Sequence, residues 1–193
     1  MRKGKIIRKT KETDILIEIN LDGNGNYEVK TDIGFLSHML ELFSKFSGID
    51  SKIKAKGDIE VDTHHLVEDV GICLGESIKQ ALGDKKGIRR FGFSSMPMDE
   101  TLVNISVDIS GRPFLVFNVP DIRKKESVLE IEDIKEFFNG FVNHSGITLH
   151  INFVYGKNLH HINEAIFKGV ALSLKEAMKK EGKSTPSTKG RID

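Results

Sequence analysis

Two stretches of the chain repeat one chemistry: His-His-x-x-Glu occurs at 64–68 and again at 160–164. On a helix His64 and Glu68 are i,i+4 neighbours and His65 and Glu68 are i,i+3 neighbours; His160, His161 and Glu164 repeat the relation. Adjacent side chains diverge by about 100° around a helix axis. One pair is therefore poorly placed to clasp one metal ion and well placed to give one ligand to each of two. Imidazole with carboxylate and no thiolate suits Mn²⁺, Fe²⁺ or Zn²⁺, and the donor chemistry does not choose among them. A lone histidine on such a helix reads as a satisfied or exposed residue. A repeated motif reads as metal binding.

Each motif opens an apolar helical stripe. Val70, Leu74, Ile78 and Leu82 recur every four residues in the first, and Ile166, Val170, Leu174 and Met178 take the same offsets in the second. Such a stripe lies on something, and a sheet is the expected partner. The likeness continues upstream, where "FSGI" at 46–49 answers "HSGI" at 144–147 and aligns Phe46 with His144. Each is preceded by a short helix-like run, "GFLSHMLELF" or "EDIKEFFNGF", and followed by strand-like alternation, "SKIKAKG" or "TLHINFVYG". "DILIEINLDG" and "YEVKTD" straddle "DGNGN", a hairpin turn signal; "TLVNISVDIS" and "PFLVFNV" straddle "SGRP". The pattern predicts an α/β (α+β) chain, an internal duplication in which each half is a mixed sheet with helices on one face. The halves are 1–90 and 91–193, packed as one compact unit. "DIRKKESVLEIED" is expected as a charged surface loop and "EGKSTPSTKGRID" as a polar, mobile tail.

Lys and Arg total 29 against 28 Asp and Glu in 193 residues. This balance argues against a nucleic-acid partner and leaves room for small basic clusters that bind a small anion. The single cysteine, Cys73, excludes an intramolecular disulfide and fits a reducing compartment. No stretch reads as a signal peptide or a membrane span, so a cytoplasmic protein without membrane contact is expected.

At "GDIEVDTHHLVEDVGICLG", "GIRRFG", "PMDE", "DISGRPFLVFN", "GKNLHHINEAIFKG" and "PSTKG" the chain resembles the imidazoleglycerol-phosphate dehydratase family, from about Thr13 to Gly190. The resemblance implies a Mn²⁺-dependent hydro-lyase of histidine biosynthesis with two ions per active site, assembled as a 24-mer shell built from trimers. It implies His38, His64, His65, Glu68, His144, His160, His161 and Glu164 as metal ligands. That leaves His150, which reads as structural. The implied substrate is D-erythro-imidazoleglycerol phosphate, with Arg90, Arg112, Lys168, Ser187 and Lys189 nominated for binding it. Arginine offers the planar fork that suits phosphate. Glu12 and Glu164 are the implied acid–base carboxylates. Two positions depart from the family pattern: Ser37 stands where an aspartate is common, and Phe46 where the family has a substrate-contacting histidine. The alternatives are a slow metal-dependent homologue, one acting on another phosphorylated small molecule, and a non-catalytic, metal-stapled assembly protein.

Overall fold

The computed structural model describes residues 1–122 and 129–192. The element order is β1 (Lys3–Lys9), β2 (Thr13–Asn20), β3 (Tyr27–Thr31), α1 (Gly34–Ser47), β4 (Asp50–Gly57) and α2 (His64–Leu82), followed by β5 (Phe91–Met98), β6 (Thr101–Asp108), β7 (Phe114–Asn118), α3 (Ile131–Ser145), β8 (Thr148–Tyr155) and α4 (Leu159–Met178). The second series repeats the first. Each half forms a four-stranded mixed sheet, in the orders β1-β2-β4-β3 and β5-β6-β8-β7. The duplicated α/β unit expected from the sequence is what the chain builds.

The hairpin expectation at "DGNGN" is overturned. β4 inserts between β2 and β3, antiparallel to β2 and parallel to β3. A parallel pair needs a crossover connection, which α1 supplies. The loop is drawn onto the start of β4 instead, where Asp50 Oδ1 accepts from Asn24 N (3.0 Å) and Asn26 N (2.9 Å). β7 and β8 repeat the arrangement with α3. The true hairpins are β1–β2 and β5–β6, whose first strands are not among the segments expected as strands. Both are edge strands that bury only one glycine each, Gly4 and Gly92. A methyl group at Gly4 would collide with the Ser77 carbonyl of α2, and one at Gly92 with the Ser173 carbonyl of α4. Close passage of an edge strand over a helix backbone is what requires glycine there.

The helices lie between the two sheets. α1 packs on α4 and α2 on α3, so each contact joins one half to the other. All eight residues of the two stripes are buried. Phe137 and Phe138 of α3 stack against Phe167 of α4 with centroids 5.2 and 5.1 Å apart. The sheet faces turned away from the helices differ. The first carries ion pairs such as Lys5–Glu18 and Lys52–Glu28. The second exposes Phe91, Phe93 and Phe114.

One loop expectation changes. In "DIRKKESVLEIED", residues 123–128 lie outside the described residues, but Leu129 is buried and Glu130 caps α3 in a reciprocal capping box with Asp133. That half of the stretch is a helix start. The tail has backbone partners at its base. Glu181 N donates to Gly87 O (2.8 Å) and Gly87 N to Ser184 O (2.9 Å), laying it along the segment that leads into β5.

Candidate metal centre and anion cleft

The amino-terminal turn of α4 is set by Asn158, whose side chain accepts from His160 N at 3.0 Å. One turn on, Glu164 Oε1 lies 2.8 Å from His160 Nε2 and 3.3 Å from His38 Nε2 of α1. The three offer ligand atoms that all fall within 4.8 Å of one another. Glu164 Oε2 holds the Lys168 ammonium, one helical turn further. Burial alone would push the Glu164 carboxyl up; the bonds from Lys168, His38 and His160 outweigh it and hold the pKa at about 2. The carboxylate is therefore ionised, as a metal ligand must be. Two imidazoles and a charged carboxylate fit a divalent cation.

The corresponding place in the first half holds less. His64 Nε2 and Glu68 Oε2 are 3.6 Å apart on α2. Beside them, α3 occupies the position that α1 takes beside α4. Aligned at Ser47 with Ser145 and Gly48 with Gly146, His38 matches Glu136, whose carboxylate is engaged by Asn139 (3.2 Å). His144, in the last turn of α3, has its Nδ1 on Gly140 O at 2.9 Å and its Nε2 unbonded among the described residues. No third ligand joins His64 and Glu68 among the described residues.

The second histidine of each pair turns to a carboxylate. His161 Nδ1 is 2.7 Å from Glu100 Oε2, and His65 Nδ1 is 3.2 Å from both Asp58 oxygens. The His161 bond, with backbone donation from Asn158, holds the Glu100 carboxyl at about 2. The Asp58 bond, with the nearby charges of Glu12 and Asp62, raises the His65 pKa. Glu12 lies in the β1–β2 turn, its carbonyl accepting from Asp58 N at 3.1 Å. Of the two departures from the family pattern, Ser37 accepts from Thr31 N (3.0 Å) and ties α1 to β3, while the exposed Phe46 ring lies 5.8 Å from Lys168 Nζ. His150 is half-buried on the outward face of β8.

A separate cleft of about 330 Å³ is lined by Arg90, Ser110, Arg112, Ser187, Thr188, Lys189, Arg191 and Ile192. Four of the five nominated substrate residues meet in it. Lys168 does not; it sits with Glu164. Arg90, at φ +78°, is a scaffold as well as a cation: it forks onto Asp108 (2.7 and 3.2 Å) and donates to Pro186 O (2.9 Å), closing the tail over the cleft. Arg112 stays exposed, its NH₂ 4.0 Å from Asp108. Ser110, Thr188, Arg191, Asp108, Asp58 and Glu100 were not singled out by sequence reasoning, although "DISGRP", "GDIEVD" and "PMDE" contain four of them. The cleft and the His38–His160–Glu164 cluster are at opposite ends of α4. Arg90 N donates to Ala177 O at its carboxyl end, and His160 opens its first turn, roughly 25 Å away at about 1.5 Å per residue.

The chain resembles known proteins over its whole length. Residues 31–174 match the family model described as imidazoleglycerol-phosphate dehydratase. Among curated relatives, the enzyme of that name from Thermodesulfovibrio yellowstonii is 53% identical over 193 residues, with each chain fully covered. That from Thermoanaerobacter pseudethanolicus is 52% identical, with 98% of this chain and 99% of the relative covered. Among solved structures, the Pyrococcus furiosus enzyme superposes with a TM-score of 0.85 at 41% identity, covering 97% of this chain and all of that one. The Staphylococcus aureus enzyme gives 0.83 at 38% identity, with coverage of 92% and 99%.

Proposed function

The chain belongs to the imidazoleglycerol-phosphate dehydratase family, and we propose that its histidine pairs and its cationic cleft divide that reaction between metal and phosphate. It is a hydro-lyase that removes water from imidazoleglycerol phosphate in histidine biosynthesis. In our reading D-erythro-imidazoleglycerol phosphate becomes imidazole acetol phosphate. Full-length similarity to named dehydratases disfavours a different substrate and a purely structural role. The His38–His160–Glu164 cluster carries the metal assignment.

We assign Mn²⁺, two ions per active site, to His38, His64, His65, Glu68, His144, His160, His161 and Glu164. When bound, such an ion would supply Lewis acidity that acidifies the substrate's imidazole ring, so that the ring can push out a neighbouring hydroxyl. The remaining work falls to the chain. Arg112, Ser187 and Lys189 bind the phosphate, and Arg90 holds Asp108 and the tail in place around it. The hydroxyl on the carbon next to the ring leaves as water. A carboxylate, Glu164 or Glu12, takes the proton from the next carbon, and the resulting enol relaxes to the ketone. Lys168, ion-paired with Glu164, supports the reacting end rather than the distant cleft of its own chain.

A small substrate cannot reach both a chain's cleft and the same chain's cluster across roughly 25 Å. His64 and Glu68 also lack further ligands among the described residues. Both facts support sites completed between copies, in the trimer-built 24-mer of our reading. The exposed Phe91, Phe93 and Phe114 offer apolar area for such contacts. No helix among the described residues is long and apolar enough to cross a membrane. A cytoplasmic setting fits a biosynthetic enzyme with one buried, free cysteine.

Metal-loaded protein incubated with imidazoleglycerol phosphate should release the ketone, and metal-free protein should not. Absence of product from fully Mn²⁺-loaded protein rejects the activity. A chelator-treated sample followed by light scattering and circular dichroism tests the shared site. Mass should fall while helix content is kept; unchanged mass after verified metal removal rejects it.

A further inference from the structure

The second histidines of the two pairs, His65 and His161, are held by carboxylates that sequence reasoning did not nominate, and the two halves draw these from different elements. Glu100 directly precedes Thr101, the first residue of β6. Its Oε2 accepts from His161 Nδ1 at 2.7 Å. Its Oε1 accepts from Asn158 N (2.9 Å) and Lys157 N (3.2 Å), fixing the loop that enters α4. Asn158 Nδ2 approaches His161 Nε2 at 3.4 Å, as a donor does toward an unprotonated nitrogen. The shorter contact, from Nδ1 to Glu100, favours the tautomer that keeps a lone pair on Nε2, although Asp99 Oδ2 also approaches that nitrogen, at 3.8 Å.

Glu12 occupies the same place in the first half, directly before Thr13, the first residue of β2. Yet His65 does not bond to it. Its Nδ1 faces Asp58, the residue after β4, at 3.2 Å from both oxygens. Asp58 also donates its backbone N–H to Glu12 O at 3.1 Å, so the two carboxylates belong to one local frame. Among the described residues, the Glu12 side chain makes no hydrogen bond or ion pair.

We propose that Glu100 and Asp58 are positioning residues that hold His161 and His65 by Nδ1 so that Nε2 is the atom offered to metal. By taking this task in the first half, Asp58 leaves Glu12 free for proton transfer. The inference rests on the metal-centre reading above. The physical reason is general: a carboxylate on one imidazole nitrogen fixes the tautomer, orients the ring and makes the other nitrogen a stronger ligand.

The test is Mn²⁺ titration of chelated and reconstituted protein. Free ion is followed by electron paramagnetic resonance, and the spectrum of the bound ion is recorded. Glu100→Ala should weaken one class of Mn²⁺ sites by about 10- to 100-fold. Glu100→Gln keeps an acceptor for the loop N–H groups and removes the charge, so it should weaken that class by about tenfold and alter the bound-ion spectrum. Asp58→Asn should do the same to a second class. Glu132→Gln, on the exposed side of α3, should change neither readout. A loop staple alone would be rescued fully by glutamine, so wild-type affinity and spectrum in Glu100→Gln overturn the proposal even if Glu100→Ala is unstable. A His161→Ala control separates the two failures. If it binds Mn²⁺ as the parent does, the ligand assignment of His161 falls and this inference with it. If it loses a class of sites while Glu100→Gln does not, only this inference falls.

Discussion

The two halves share a scaffold and differ in what they hold. The second presents His160 and Glu164 to His38 from α1 and gathers three ligand atoms within 4.8 Å. The first presents His64 and Glu68 to α3, where Glu136 stands in the histidine's place and no third ligand arrives among the described residues. Strand order, crossover helices, edge-strand glycines and buried stripes are the same in both. The backbone geometry of the repeat is demanding, because an edge glycine or a buried leucine cannot be exchanged without collision or a cavity. The partly exposed turn that meets the motif is not so constrained, and it is there that the halves diverge.

Matched substitutions probe the difference. Glu164→Gln removes a ligand and a proton carrier together, so turnover should fall by about 10³-fold with the fold retained by circular dichroism. Glu68→Gln removes a ligand alone, and its deficit of about 10- to 100-fold should recover at saturating Mn²⁺. Equal, unrecoverable losses in both variants would erase the distinction.

A smaller effect separates the halves by pH, in metal-free protein. Glu164 is depressed from 4.5 to about 2. Its contribution to stability is therefore present above pH 4.5 and lost as pH falls through about 2. His65 is raised above 6.5. Its contribution is complete below pH 6.5 and lost as pH rises through the folded value. Denaturant midpoints should show Glu164→Gln flattening only the acid limb and His65→Gln only the neutral one. Glu164 is buried and His65 is partly open to solvent, so the change at His65 should be the smaller.

The smallest effect is expected at Phe46, the counterpart of His144. Phe46→Ala should leave bound Mn²⁺ unchanged by metal analysis and cost about 1 kcal/mol or less, as for a partly exposed side chain. His144→Ala should lower the metal content. Loss of a full metal equivalent in Phe46→Ala would mean that the pocket has been mapped wrongly.

The histidine pairs and their helices were legible because helix periodicity is local: residues four apart in sequence are neighbours in space. The β3–β4 pairing was not, since it depends on a strand beyond α1, and the "DGNGN" turn signal reports only its own residues. Glu100 meets His161 across 61 residues of the same half, a contact that no spacing rule encodes. The anion cleft was nominated through family likeness rather than composition, because a lone arginine or lysine reads as a solvated charge. The pairing of Lys168 with Glu164 was legible in the spacing although the residue was nominated through family likeness. Its i,i+4 spacing from Glu164 already placed the ammonium at the carboxylate.

The contact between α1 and α4 also bears on how such a chain could arise. α1 is the crossover helix of the first half, yet it delivers His38 to the histidine pair of the second. A half-length ancestor with this topology would have met that helix only on another copy of itself, so its earliest site would have been dimeric. Fusion made the encounter intramolecular and freed one of two formerly identical positions to change. The difference between His38 and Glu136 then records a change that no symmetric dimer could have made on one side alone.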